Sequence, residues 1–287
     1  MCRLFAMTGG PVTVGATFWL LDADDSLARQ SEQNADGTGV GWFEEDGTPY
    51  INKQPVAAKS VDDGLRYDVR VARARTFVAH VRYATSTELT VENTHPFLMD
   101  GRMFGHNGIV GDLDVVDERL GDDAARVQGD ADSERFFALV TKEIAAAGGD
   151  ERAGIIAAVQ WLASEVEMYS LNFVMITATD VWALRYPDKN TLYLLDRRSA
   201  KESPMGHPFA KDNPSPGIGV STPDTANQAT VVIASEPLNG DNWEEIEPGE
   251  LIHVARDLTI TREVIIEHDP IHMMVLGGQA AAAQGVS

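Results

Sequence analysis

A cysteine stands second in the chain, in Met1-Cys2-Arg3-Leu4, and it is the only cysteine among 287 residues. A lone cysteine is ordinarily a small buried hydrophobe, so the residue type alone says little. Its position says more. Excision of the initiator methionine ahead of a small residue would leave Cys2 with both a thiol and a free α-amine. Such an amine titrates at about 8, so it can take the thiol proton near neutral pH and return it later to a leaving amine. Nucleophile and base then share one residue, as in terminal-threonine hydrolases. A second constellation is His80-Val81-Arg82-Tyr83-Ala84-Thr85, at the end of an expected strand. The Arg82 guanidinium offers a planar fork suited to bidentate capture of a carboxylate, and the Thr85 hydroxyl can add a donor to the same anion. An ordinary edge-strand arginine would account for the same residues.

Further along stand Glu92-Asn93-Thr94-His95-Pro96-Phe97 and Gly105-His106-Asn107-Gly108-Ile109-Val110. Asn-Gly between apolar segments reads in isolation as a hairpin turn. The chemical alternative is an oxyanion hole, built from the Asn107 carboxamide and the Gly108 backbone N–H. Loss of one such donor costs about 3 kcal/mol of transition-state stabilisation. Asp132 and Ser133, in Gly129-Asp130-Ala131-Asp132-Ser133-Glu134, are candidate N-caps of a helix. A carboxylate held there can also bind the ammonium group of an amino-acid substrate, because its two oxygens can serve both purposes. His80, His95 and His106 are the residue type of a zinc site, but their spacing matches no compact ligand motif.

These residues need a scaffold, and the pattern around them is rich in strands. Runs of β-branched and aromatic residues occur at Arg3-Met7, Gly39-Phe43, Thr76-Val81, Leu171-Ala178, Val181-Tyr186, Thr191-Leu195, Thr230-Ala234, Leu251-Ala255 and Leu258-Ile266. Helical spacing is confined to Ser133 to Ala147, with Phe136, Phe137, Val140 and Ile144 on one side, and to Glu151 to Met168, with Ile155, Ile156, Val159 and Leu162. Many strands with grouped helices predict a layered α+β architecture rather than alternating βαβ units. One domain is expected over residues 2–270, with a flexible tail over 271–287 and an irregular loop over 199–228. A formal charge of -21 argues against nucleic-acid and membrane-surface partners. The start of the chain lacks the pattern of a secretory signal and no run is apolar enough to span a bilayer, so a cytoplasmic setting is expected. One cysteine also excludes an internal disulfide framework and a multi-cysteine metal centre.

Taken in order, Cys2, the segment Asn34-Ala35-Asp36-Gly37-Thr38-Gly39-Val40-Gly41-Trp42, HVRYAT at 80–85, ENTHPF at 92–97, GHNG at 105–108 and Asp132-Ser133-Glu134 resemble the class II glutamine amidotransferase domain. Ile233-Ala234-Ser235-Glu236-Pro237-Leu238 and Trp243-Glu244-Glu245-Ile246-Glu247-Pro248-Gly249-Glu250 are similar to its stand-alone members, the YafJ-like and ergothioneine-pathway amidohydrolases. The resemblance implies the N-terminal-nucleophile (Ntn) hydrolase fold, a four-layer αββα sandwich of two antiparallel sheets between helices. It implies Cys2 as nucleophile with its own amine as base, and Asn107 and Gly108 as oxyanion hole. It further implies Arg82, Tyr83 and Thr85 around the substrate α-carboxylate, Asp132 on the α-amine, and no cofactor. Ser86, where glutamine-using relatives often carry histidine, and Thr38, at a place commonly tryptophan, depart from the pattern on the leaving-group side. The implied reaction is hydrolysis of a small-molecule γ-glutamyl amide through a glutamyl thioester. Two alternatives accompany it: an ammonia-donating subunit for a separate synthase, and a non-catalytic γ-glutamyl-binding protein.

Overall fold

The computed structural model describes residues 2–23, 25–27, 36–56, 63–82, 88–199 and 228–277. Two sheets, antiparallel throughout, carry the chain. In the first are β1 (Arg3–Thr8), β2 (Gly37–Phe43), β3 (Pro49–Gln54), β4 (Thr76–Arg82), β9 (Tyr193–Asp196), β10 (Val231–Ala234) and the short β11 (Glu244–Glu245), ordered β11-β9-β10-β1-β4-β2-β3. The second holds β5 (Phe97–Met99), β6 (Arg102–Val110), β7 (Met168–Ile176), β8 (Val181–Arg185), β12 (Glu250–Val254) and β13 (Ile260–Val264), ordered β13-β12-β8-β7-β6-β5. The described α-helices are α1 (Asp63–Val71), α2 (Leu113–Leu120), α3 (Asp132–Ala146) and α4 (Glu151–Glu165).

The two faces of each strand bury different residues, because side chains alternate along it. In β1, Phe5 and Met7 join Leu65 and Val69 of α1 in one core, while Leu4 and Ala6 join Met103 and Val174 of the second sheet in another. A third core lies beneath the second sheet, where Phe104 and Phe173 meet Phe136 and Phe137 of α3. The layer order is therefore helix, sheet, sheet, helix: the Ntn-hydrolase sandwich. Phe104 stacks on Phe137 with centroids 4.8 Å apart and meets Phe136 edge-on at 5.2 Å, contacts worth about 0.5–1.5 kcal/mol each beyond their burial.

α3 and α4 form where the helical spacing predicts. Gly148 and Gly149 end the first turn of the connection at φ 70° and 96°, a left-handed conformation that costs glycine little. Asp150 then caps α4 by accepting the Ala153 N–H at 2.9 Å. A Cβ at Gly154 would stand 2.4 Å from the Ile144 backbone, so glycine is what lets the two helices approach. α4 stops at Glu165, short of the expected Met168, because Met168 already begins β7. At the far end, Ile271 and Met274 donate to the carbonyls of Ala163 and Met168, and Met168 donates to that of His272. The expected tail is thus anchored across residues 271–274; residues 278–287, and the part of the expected loop from 200 to 227, lie outside the described residues.

β3, β5, β6, α1 and α2 were not legible in the residue pattern. For β6 the reason is clear: Gly105-His106-Asn107-Gly108 has poor intrinsic strand preference, and cross-strand pairing overrides it. Asn107 pairs with Asn172 and Gly108 with Leu171 in the middle of the β6–β7 ladder. The hairpin-turn reading of Asn107-Gly108 is corrected accordingly. A Cβ at Gly108 would lie 1.8 Å from the Ser170 carbonyl oxygen, so the glycine serves close strand contact rather than a turn.

Candidate active site

Cys2 is partly exposed and enters β1 directly. In the β1–β4 ladder Arg3 pairs with Val81. One further step of that antiparallel register sets Cys2 beside Arg82, the last residue of β4. Alternation along β1 gives Cys2 the parity of Leu4 and Ala6, which face the second sheet. From that sheet Asn107 reaches across, its Nδ2 donating to the Cys2 carbonyl oxygen at 3.3 Å.

The N-terminal strand is held on its other flank as well. Ser235 Oγ accepts the Leu4 N–H at 3.0 Å, the Ser235 N–H donates to the Leu4 carbonyl at 3.1 Å, and Arg3 pairs with Glu236 at 2.8 Å. The segment Ser235-Glu236 therefore grips the two residues after Cys2.

Asp132 lies at the first position of α3, and the N-cap is Ala131, which corrects the expectation that Asp132 or Ser133 caps the helix. Its carboxylate is committed elsewhere: Oδ2 accepts the Val110 N–H at 2.8 Å and Oδ1 the Ser133 N–H at 2.8 Å. One oxygen ties α3 to the end of β6, and each retains lone-pair capacity. Burial pulls the Arg82 guanidinium below its usual value, while the charges of Cys2, Asp36 and Asp132 act the other way. Arg82, Cys2 and Asp132 thus share one electrostatic neighbourhood. Arg82 also points Nη1 at the Glu88 carbonyl, 3.4 Å away. Tyr83 and Thr85 lie outside the described residues, as do Ser86, Met1 and the Asn34-Ala35 portion of the earlier motif.

Three buried histidines lie nearby, His80, His95 and His106. His80 donates Nε2–H to the His106 carbonyl at 3.1 Å, and its ring lies against that of His95 with centroids 4.1 Å apart and planes tilted by 35°. Both His95 nitrogens and His80 Nδ1 are buried and have no hydrogen-bond partner among the described residues. Burial, with the Arg82 and His106 charges, pushes His80 down to about 3, and burial pushes His95 well below its usual value. His106 turns the other way, toward the helices, with Nδ1 2.9 Å from Ser133 Oγ and Nε2 3.0 Å from the Ser170 carbonyl oxygen. Burial lowers its pKa, against the opposing effects of Asp132 and that carbonyl. No group of three or more His, Cys, Asp or Glu among the described residues could hold a metal ion.

Beneath Asn107 is a polar layer that the residue pattern did not single out. Ser170 Oγ donates to the Asn107 carbonyl at 3.2 Å, Asn190 Nδ2 reaches it at 3.4 Å, and Asn172 Nδ2 donates to the Asn190 carbonyl at 2.9 Å. Ser170, Asn172 and Asn190 are completely buried. The available signal was Ser170 and Asn172, two polar residues at alternate positions of an otherwise apolar strand.

Residues 1–272 match the family model described as glutamine amidotransferases, class-II. YafJ of Escherichia coli, named as a glutamine amidotransferase, is 28% identical over 222 residues, covering 75% of this chain and 83% of that protein. A glutamine aminotransferase class-II domain protein from Silicibacter pomeroyi superposes with a TM-score of 0.60 at 19% identity, over 91% of this chain and 98% of that one. The glutamine phosphoribosylpyrophosphate amidotransferase of B. subtilis superposes with a TM-score of 0.65 at 16% identity over 93% of this chain, which spans half of that enzyme's length.

Proposed function

The chain belongs to the class-II glutamine amidotransferases, a family of amide-bond enzymes, and from that premise we propose that it hydrolyses a γ-glutamyl amide with Cys2 as nucleophile. The single observation that carries this is the meeting of the two sheets at Cys2, where the Asn107 amide donates to the Cys2 carbonyl across the interface. A donor group is then already within reach of the nucleophile's own residue, where a substrate oxyanion would develop.

In the processed chain the α-amine of Cys2 takes the thiol proton, and the thiolate attacks the γ-carbonyl carbon. The carbonyl π electrons move to oxygen, and the oxyanion is met by the Asn107 amide and the Gly108 N–H. As the C–N bond breaks, the ammonium of Cys2 returns its proton to the leaving nitrogen, and a glutamyl thioester remains. Water, deprotonated by the same amine, attacks the thioester; the C–S bond breaks and glutamate leaves with the thiol restored. Arg82, with Tyr83 and Thr85, holds the α-carboxylate, and Asp132 the α-ammonium, so the head group is fixed at both charges while the leaving group varies.

The test is to incubate purified protein with glutamine and a panel of γ-glutamyl amines, thiols and peptides and measure released glutamate. Cleavage of at least one, abolished in a folded Cys2→Ala variant, is the expected result. If nothing is cleaved until a separate synthase is added, the chain is instead an ammonia-donating subunit. Binding without turnover under both conditions would leave only the non-catalytic reading.

A further inference from the structure

The side chain of Arg3, the residue after Cys2, folds back onto it. Arg3 Nη1 lies 3.5 Å from the Cys2 carbonyl oxygen, which also receives the Asn107 Nδ2–H at 3.3 Å, and a carbonyl has the two lone pairs this requires. Arg3 Nη2 in turn meets Glu236 Oε1 at 2.8 Å. That pairing is built into the sheet. β1 and β10 run antiparallel with Phe5 opposite Ala234, so two further steps of the register set Arg3 opposite Glu236. Ser235 fixes the backbone between, held by its two bonds to Leu4 and by the Thr191 hydroxyl, which donates to its carbonyl at 2.8 Å. The Arg3 side chain is 15% exposed and that of Glu236 38%, so the positive end of the pair lies deeper, against Cys2, and the negative end faces outward.

We propose that Arg3 and Glu236 are positioning residues for the nucleophile: the guanidinium holds the Cys2 carbonyl and sets a fixed positive charge beside it, and the carboxylate keeps the guanidinium there and moderates that charge. The nucleophilic role of Cys2 rests on the reading above; the charge arrangement does not. Arginine stays protonated at any working pH, so its charge is constant. A nearby cation favours the thiolate over the thiol and the free amine over the ammonium, and a nearby anion does the reverse. Arg3 touches Cys2 while Glu236 touches Arg3, so at Cys2 the cation outweighs its partner. The other charges in this neighbourhood are Arg82 of β4, Asp36 just ahead of β2 and Asp132 of α3, and β6 contributes the uncharged Asn107. These form a common background against which the charges of Arg3 and Glu236 can be removed one at a time.

The experiment reads two pH profiles. One is kcat/KM for the γ-glutamyl compound the protein cleaves; the other is the rate of alkylation by iodoacetamide, which follows the thiolate and reports on Cys2 alone because the chain has no other cysteine. Arg3→Gln should move the acidic limb of both profiles up by about half a pH unit, the scale of one partly exposed charge, and Glu236→Gln should move it down by a similar amount. Arg3→Lys keeps the charge and should hold the limb near the parent's position. A purely structural defect would lower activity in either glutamine variant without sending the two profiles in opposite directions. Should Arg3→Gln lose its cooperative melting, the Glu236→Gln displacement decides alone, downward in support, absent or upward against. Shifts in the same direction, a lysine variant displaced as far as the glutamine one, or profiles that stay in place overturn the proposal while leaving the hydrolase reading intact. If no compound in the panel releases glutamate, the hydrolase reading falls, and opposite shifts in alkylation still sustain the charge arrangement at Cys2.

Discussion

At the scale of single residues, the proposed chemistry depends on Cys2 being a terminus. Intact mass spectrometry of active protein should show Met1 removed, because an amide nitrogen on Cys2 cannot serve as base; full turnover with Met1 attached would contradict that role. Asn107→Ala should lower kcat by roughly a hundred- to a thousandfold, the usual effect of losing one oxyanion donor, with the melting temperature changed far less. The histidines make a different prediction. His80 and His95 are held neutral, with values below the ordinary 6.5. Below about that pH the unfolded chain binds more protons than the folded one, so the stabilisation from keeping them neutral is complete above it. It drains as pH falls, toward about 3 for His80. Urea midpoints should therefore decline steadily from pH 7 to pH 4. His95→Phe, which keeps a ring against His80 and removes two unpartnered nitrogens, should make the decline shallower. A midpoint independent of pH in the parent would count against buried neutral imidazoles.

At the scale of elements, β6 does the most for the site, and residue preference alone would not have made it a strand. Its pairing with β7 is so close at Gly108 that any side chain collides with the Ser170 carbonyl. Gly108→Ala should displace Asn107 together with the strand, costing about 1–3 kcal/mol of stability by overpacking and most of the activity. Circular dichroism melting and the glutamate assay measure the two effects separately; an active, fully stable alanine variant would show that this contact is not tight. β6 also explains the hairpin misreading. Asn-Gly is a turn signal only when the chain has nothing better to pair with, and the partner of this pair lies more than sixty residues away, in β7. α3, by contrast, was legible because its apolar spacing is local and the aromatic cluster it buries is part of the same pattern. Phe136→Ala should cost about 3–5 kcal/mol, as the loss of a fully buried aromatic does, and disturb His106 beside it.

At the scale of the whole molecule, the net charge of -21 is a property that no single contact reports. Self-repulsion of that size opposes compactness and is screened by salt, so the melting temperature at neutral pH should rise as sodium chloride goes from about 10 to 200 mM. A falling melting temperature over that range would mean that specific ion pairs outweigh the repulsion. Scale also divides what each source of information supplied. The amino-acid sequence alone identified the cysteine at position two, the ordered motifs from Arg82 to Asp132, the layered strand-rich class and the helical pair, since each depends on residue type or short-range spacing. It did not reach the strand identity of Asn107-Gly108, the anchoring of residues 271–274, the Ser170, Asn172 and Asn190 layer, or the bonds of His106 to Ser133 and Ser170. Those were decided only by tertiary structure, because each is set by a partner distant along the chain, and a hydrogen bond between two sheets or between a strand and a helix leaves no periodicity in either segment by itself.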